Sequence, residues 1–70
     1  MELVVTGWKP GLKTISLMDA LRKYGGMGLK QAKREVDALL AGKPIHLPGL
    51  DGEVLRKVRT ELESLGCICR

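Results

Sequence analysis

The sequence contains no phenylalanine, one tryptophan (Trp8) and one tyrosine (Tyr24). Leu, Val, Ile and Ala must therefore fill any core, and 70 residues is close to the lower size at which one core holds a fold without staples. The two cysteines, Cys67 and Cys69, are too few and too close together for a disulfide framework, which points to a reducing compartment. No apolar run approaches the ~20 residues of a membrane-spanning helix. Met1 leads into a β-branched stretch and not into a basic, apolar leader. The expectation is one soluble, cytoplasmic domain spanning residues 1–70, without linker, repeat or membrane contact. Acid is scarce where base is dense. From Lys9 to Arg34 there are seven basic residues (Lys9, Lys13, Arg22, Lys23, Lys30, Lys33, Arg34) and one acid, Asp19, whereas the rest of the chain carries five basic and seven acidic residues. Such a field attracts phosphate backbones or an acidic protein surface, and charge alone does not choose between them.

Glycine is concentrated at Gly25-Gly26-Met27-Gly28, between two segments of helical periodicity. Three glycines in four residues predict a tight helix–helix reversal in which positive φ comes without steric cost. Before it, Glu2–Thr6 reads as a strand, Trp8-Lys9-Pro10-Gly11 as a turn and Thr14–Tyr24 as a helix. That helix starts at Thr14, or at Ser16 with Asp19 in capping-box spacing. Leu17, Ala20, Leu21 and Tyr24 form its core stripe, which leaves Ile15 and Met18 as a surplus apolar pair in line with Asp19 and Arg22. A short helix cannot easily bury both faces, so one stripe is expected to be exposed.

After the turn, Leu29, Ala32, Val36, Leu39 and Leu40 read as the core face of a second helix, with Lys30, Lys33, Arg34 and Asp37 toward solvent and Gly42 beyond its end. Pro44 and Pro48 fence a short strand at Ile45-His46-Leu47. Asp51 reads as the N-cap of a third helix with Val54, Leu55, Val58, Leu62 and Leu65 inward and Gly66 closing it, before a terminal strand at Cys67-Ile68-Cys69-Arg70. The sum is an α+β fold, β-α-α-β-α-β, with three helices on one face of a small three-stranded antiparallel sheet.

Chemistry-bearing constellations are few. There is no nucleophile–base–acid set, paired carboxylate or phosphate-loop signature, so a non-enzymatic protein without cofactor or small-molecule substrate is expected. His46 stands alone. Cys67 and Cys69 would share one face of a strand, but with His46 they fall short of the four ligands of a structural zinc site, so packing is the expected role. Arg56, Lys57 and Arg59 with Glu61 and Glu63 read as a solvated helix face. Trp8 could stack on a base or plug the end of the core, and the lack of other large aromatics favours the plug.

The element order and the run Gly26-Met27-Gly28-Leu29-Lys30-Gln31-Ala32-Lys33 together resemble the C-terminal domain of the bacterial ribosomal stalk protein, the large-subunit protein that recruits translational GTPases. Its pattern in this region is Gly-Leu-Gly-Leu-Lys-Glu-Ala-Lys. The ending EVLRKVRTELESLG with a short strand is also similar, so the resemblance covers nearly the whole chain. It implies a factor-binding surface on the first two helices, an apolar patch ringed by basic side chains. By position this surface would comprise Ile15, Met18, Asp19, Arg22 and Lys33, with Lys30 and Arg34 adding to the field. Asp19 stands where the family carries a lysine, and Thr14 replaces another basic position. These 70 residues hold no counterpart of the stalk protein's N-terminal dimerisation helices and hinge, so a stand-alone relative is expected. The implied partner is a translational GTPase or another ribosome-associated protein.

The N-degron adaptor of a bacterial protease shares that fold, but its acidic residues after the first strand are replaced here by Gly7-Trp8-Lys9-Pro10. A reading of another class is RNA binding. Gly25, Gly26 and Gly28 form a G-x-x-G between two helices, resembling the backbone-clamping loop of the KH module, with Lys23, Lys30, Lys33 and Arg34 available for phosphates. The element order matches neither usual KH topology, a four-residue glycine motif is a weak signal, and a helix–helix turn is the favoured reading of the glycines.

Overall fold

The computed structural model describes residues 1–70. Its centre is strand β1, Leu3–Trp8, flanked by β2 (Ile45–Leu47) and β3 (Cys67–Cys69) in the antiparallel order β2-β1-β3. Helices α1 (Thr14–Gly25) and α2 (Leu29–Leu40) connect β1 to β2, and α3 (Gly52–Ser64) connects β2 to β3. The architecture is the expected α+β arrangement. Side-chain alternation sets its layers. Leu3 faces Leu47 and Val5 faces Ile45, all four buried, whereas Val4 faces His46 on the opposite side. One sheet face is thus covered by helices, and the other carries the exposed Thr6, His46 and Ile68. On the open face His46 Nδ1 lies 3.3 Å from Glu2 Oε1.

The core is aliphatic apart from Cys67 and contains no buried polar or charged residue. Leu3, Leu17, Leu21, Leu39, Ile45, Leu47 and Leu62 are its largest fully enclosed side chains. Each contributes on the order of 1.5–3 kcal/mol through removal from water.

The helix ends follow local chemistry. Asp51 caps α3, its Oδ1 accepting the Val54 amide at 2.9 Å. Gly42, with φ 95°, follows the C-cap of α2, and Gly66, with φ 105°, turns the chain from α3 into β3. The α1 start departs from expectation. Lys13 occupies its N-cap without a side-chain hydrogen bond, so neither Thr14 nor Ser16 caps it and Asp19 lies well inside the helix. The reversal also uses its glycines unequally. Only Gly26 is left-handed, with φ 65°; Gly25 ends α1, and Gly28 is extended at φ −74° as the N-cap of α2.

Three further expectations are corrected. β1 begins at Leu3 and runs to Trp8, because β3 pairs with its second half: Gly7 faces Ile68 and Trp8 faces Cys67, beyond a register irregularity between Val5 and Gly7. Trp8 does not plug the core; it is 40% exposed and outside the hydrophobic cluster. In α2 only Ala32, Val36 and Leu39 are buried, whereas Leu29 is 58% exposed and Leu40 also faces solvent. At about 100° per residue, Leu29 and Leu40 project beside Lys33 at the margin of the buried stripe. In α1, Tyr24 is half-buried against the core, as are Val54, Leu55 and Leu65 of the α3 segment.

Candidate protein-binding surface on the first two helices

The α1 core stripe is satisfied by Leu17, Ala20 and Leu21, all buried. What remains is decided by the helical wheel. Ile15 and Arg22 are two turns apart on the outward face, with Met18 on one shoulder and Asp19 on the other. Ile15 is 71% exposed, and Arg22 is exposed with it. Met18 is only half-exposed, because it packs against the core cluster. The apolar part of the surface is therefore mainly Ile15, with Met18 as its anchored edge.

Asp19 is turned away from Met18. Ser16, Asp19, Ala20 and Lys23 of α1, with Glu61 and Leu65 from the α3 side, line a cleft of about 310 Å³. The one acid in the basic half of the chain thus shares a cleft with a second acid, Glu61, and with Lys23. Lys23 Nζ also stands 5.1 Å from the centroid of the Tyr24 ring, a cation–π arrangement.

On α2, Lys30, Lys33 and Arg34 are all exposed. Lys33 follows Leu29 by one turn, so an exposed apolar residue and a cation are neighbours there, and Lys30 and Arg34 form the next stripe round the helix. α1 and α2 pack directly against each other. Leu29 is a surface residue that periodicity assigned to the core. Its place as the first residue of the helix, ahead of the buried Ala32–Val36–Leu39 stripe, is the one signal that marked it.

The glycine turn has two sides. A Cβ at Gly26 or Gly28 would meet nothing within 4 Å, and Lys23 and Lys30 flank them in solvent. Gly25, by contrast, abuts Leu47 and Met27, and Met27 packs against the core. Of the residues in the G-x-x-G, Gly26 and Gly28 offer free backbone while Gly25 serves packing.

The two thiols lie on the helix side of the sheet, Cys67 buried and Cys69 half-buried. Burial, reinforced by Cys69, pushes the Cys67 thiol from 9.0 to about 11. Burial also raises Cys69, as does Glu63, against the opposing pull of Arg59. Both thiols therefore stay protonated and weakly nucleophilic at neutral pH. No three His, Cys, Asp or Glu side chains gather into a group able to hold a metal ion.

No protein-family profile matches the chain, and no curated protein or solved structure is detectably similar to it.

Proposed function

We propose that this domain is a non-enzymatic protein-binding module of the ribosomal-stalk C-terminal kind, associated with translation. It contacts a translational GTPase or a similar factor through Ile15, Met18, Arg22 and Lys33, with Lys30 and Arg34 contributing field. The observation that carries the reading is Ile15, 71% exposed on a helix whose own core stripe is already filled. An aliphatic side chain in water supplies apolar area to a partner, and the cations around it steer an acidic surface without adding much affinity. Such a contact forms and breaks quickly, as recruitment requires. Asp19 stands one turn from both Ile15 and Arg22 and also lines the α3 cleft. The resemblance in the Gly26–Lys33 run supports the reading.

The test is an amide chemical-shift titration of the isotopically labelled domain with a translational GTPase. Shifts centred on Ile15, Met18, Arg22 and Lys33, abolished by Ile15→Asp in a folded variant, are the expected result. Titration without shifts in α1 and α2 would overturn the proposal.

A further inference from the structure

Trp8 is the largest side chain of the molecule and is only partly covered by it. The irregularity between Val5 and Gly7 places Gly7 opposite Ile68 and Trp8 opposite Cys67, at the end of the sheet. There the residue is 40% exposed and outside the hydrophobic cluster, although no other tryptophan and no phenylalanine is available to fill that cluster. An aromatic face withheld from an aromatic-poor core calls for another role.

The segment that follows the ring is held in place. The Lys9 amide donates to the Gly66 carbonyl at 2.8 Å, and the Lys13 amide to the Leu65 carbonyl at 3.0 Å. Between them the Leu12 amide donates to Lys9 O at 3.1 Å. The chain passes Gly66 so closely that a Cβ there would stand 3.2 Å from Leu12 Cα. Both lysines on this fixed segment, Lys9 and Lys13, are exposed, and no acid occurs in sequence from Leu3 to Met18. A half-exposed indole followed by two exposed cations, on a backbone that loses little freedom on binding, suits the bases and phosphates of an unpaired strand.

We propose that the Trp8–Lys13 segment binds single-stranded nucleic acid, the Trp8 ring stacking on one base while Lys9 and Lys13 contact the flanking phosphates. The binding is tolerant of sequence, because every base presents a π face and neither lysine reads a base edge. This site is separate from the glycine turn. Lys13 and Gly26 lie at opposite ends of α1, whose twelve residues span about 18 Å at 1.5 Å per residue. Lys13 stands two residues before Ile15, so the segment borders the surface proposed for a protein partner.

Trp8 is the only tryptophan, so its emission reports on the site directly. The intact domain is titrated with short oligo(dT) and oligo(U), and with inorganic polyphosphate as a chain of charge without bases. Saturable quenching by both oligonucleotides, and none by polyphosphate, is expected. By anisotropy of a labelled oligonucleotide, Trp8→Leu weakens binding about tenfold. Lys9→Gln combined with Lys13→Gln flattens the log–log salt slope by about 1.4, at roughly 0.7 per lost contact with a single strand. Circular dichroism confirms that both variants are folded. The proposal is overturned by no quenching, by equal quenching by polyphosphate, by unchanged affinity in Trp8→Leu, or by affinity lost only in Lys23→Gln combined with Lys30→Gln. The last would move nucleic-acid binding to the glycine turn. Equal quenching and displacement by a polyglutamate peptide would overturn it in favour of an acidic protein partner.

Discussion

Gly25, the last residue of α1, lies so close to Leu47 of β2 that a Cβ at Gly25 would stand 3.0 Å from Leu47 Cδ2. Met27 Cε would stand 3.3 Å away on another side. Leu47 is enclosed by the core and has little room to retreat. Replacing Gly25 with Ala gains about 0.5–1 kcal/mol of helix propensity and meets overpacking that costs about 1–3 kcal/mol. The expected net effect is a loss of about 1 kcal/mol. Gly28→Ser meets nothing within 4 Å and adds a capping hydroxyl, so it should gain a few tenths of a kcal/mol. Urea midpoints of the two variants check both signs, and a more stable Gly25→Ala would show that Leu47 yields.

Asp51 provides the one side-chain cap among the three helices, and its Oδ1 holds the Val54 amide. Removing it in Asp51→Ala leaves that donor to water and takes a negative charge from the positive end of α3. A loss of about 1 kcal/mol is expected, with Asp51→Ser retaining most of the stability. A lowered urea midpoint at unchanged m-value is the signature; an unchanged midpoint in Asp51→Ala would mean that the contacts of Val58 and Leu62 alone hold the helix.

What was legible in the chain was local. Asp51, Gly42 and Gly66 act within a few residues of themselves, so cap and turn chemistry identified them. The shared face of Cys67 and Cys69 follows from the two-residue period of a strand. What escaped depends on distant partners. The irregularity that brings Trp8 into β1, opposite Cys67, arises from pairing with Cys67 and Ile68, some sixty residues away. Leu29 and Leu40 fit an apolar period, but a period does not say how wide the buried stripe is; the sheet and α1 decide that. Met18 looked surplus by the same reasoning and is half-buried because the core reaches up one shoulder of α1. The surface around Ile15 was readable as an excess of apolar residues over available core, whereas the cleft that Asp19 shares with Glu61 needed α3 in place.

Cys67 makes stability depend on pH at the alkaline end. Its thiol is raised in the folded protein from 9.0 to about 11, so the folded state holds its proton over a range in which the unfolded state has released it. The native state then binds more protons than the unfolded state, and the slope of unfolding free energy with pH is negative. The contribution is fully present below pH 9 and is lost as pH rises through about 11. Its full size is on the order of 2–3 kcal/mol, at 1.36 kcal/mol per pKa unit. Cys67→Ala should be less stable at pH 7 through the lost side chain and should show a shallower decline between pH 9 and 11. Parallel declines in the two proteins would assign the alkaline sensitivity to other groups.

The placement of Asp19 gives the sharpest test of the binding surface. Asp19→Lys and Arg22→Glu each change the charge of α1 by two, in opposite directions. If only net charge mattered, their effects on association with an acidic partner would mirror each other. Arg22 shares the exposed face of Ile15, whereas Asp19 lines the cleft with Lys23 and Glu61. The two lie one turn apart, within a screening length, so the difference comes from the cleft neighbours of Asp19, Lys23 and Glu61. Arg22→Glu should slow association with the GTPase about tenfold, and Asp19→Lys should speed it by no more than about threefold. Ile15→Asp should abolish the contact while shifting stability by less than about 0.5 kcal/mol, since its side chain is already in water. Leu39→Ala, in the core, should cost about 2–5 kcal/mol and leave the affinity of the remaining folded protein unchanged. Stopped-flow association rates with matched urea melts separate these effects. Equal and opposite changes from Asp19→Lys and Arg22→Glu would place Asp19 inside the contact and move its centre toward α3.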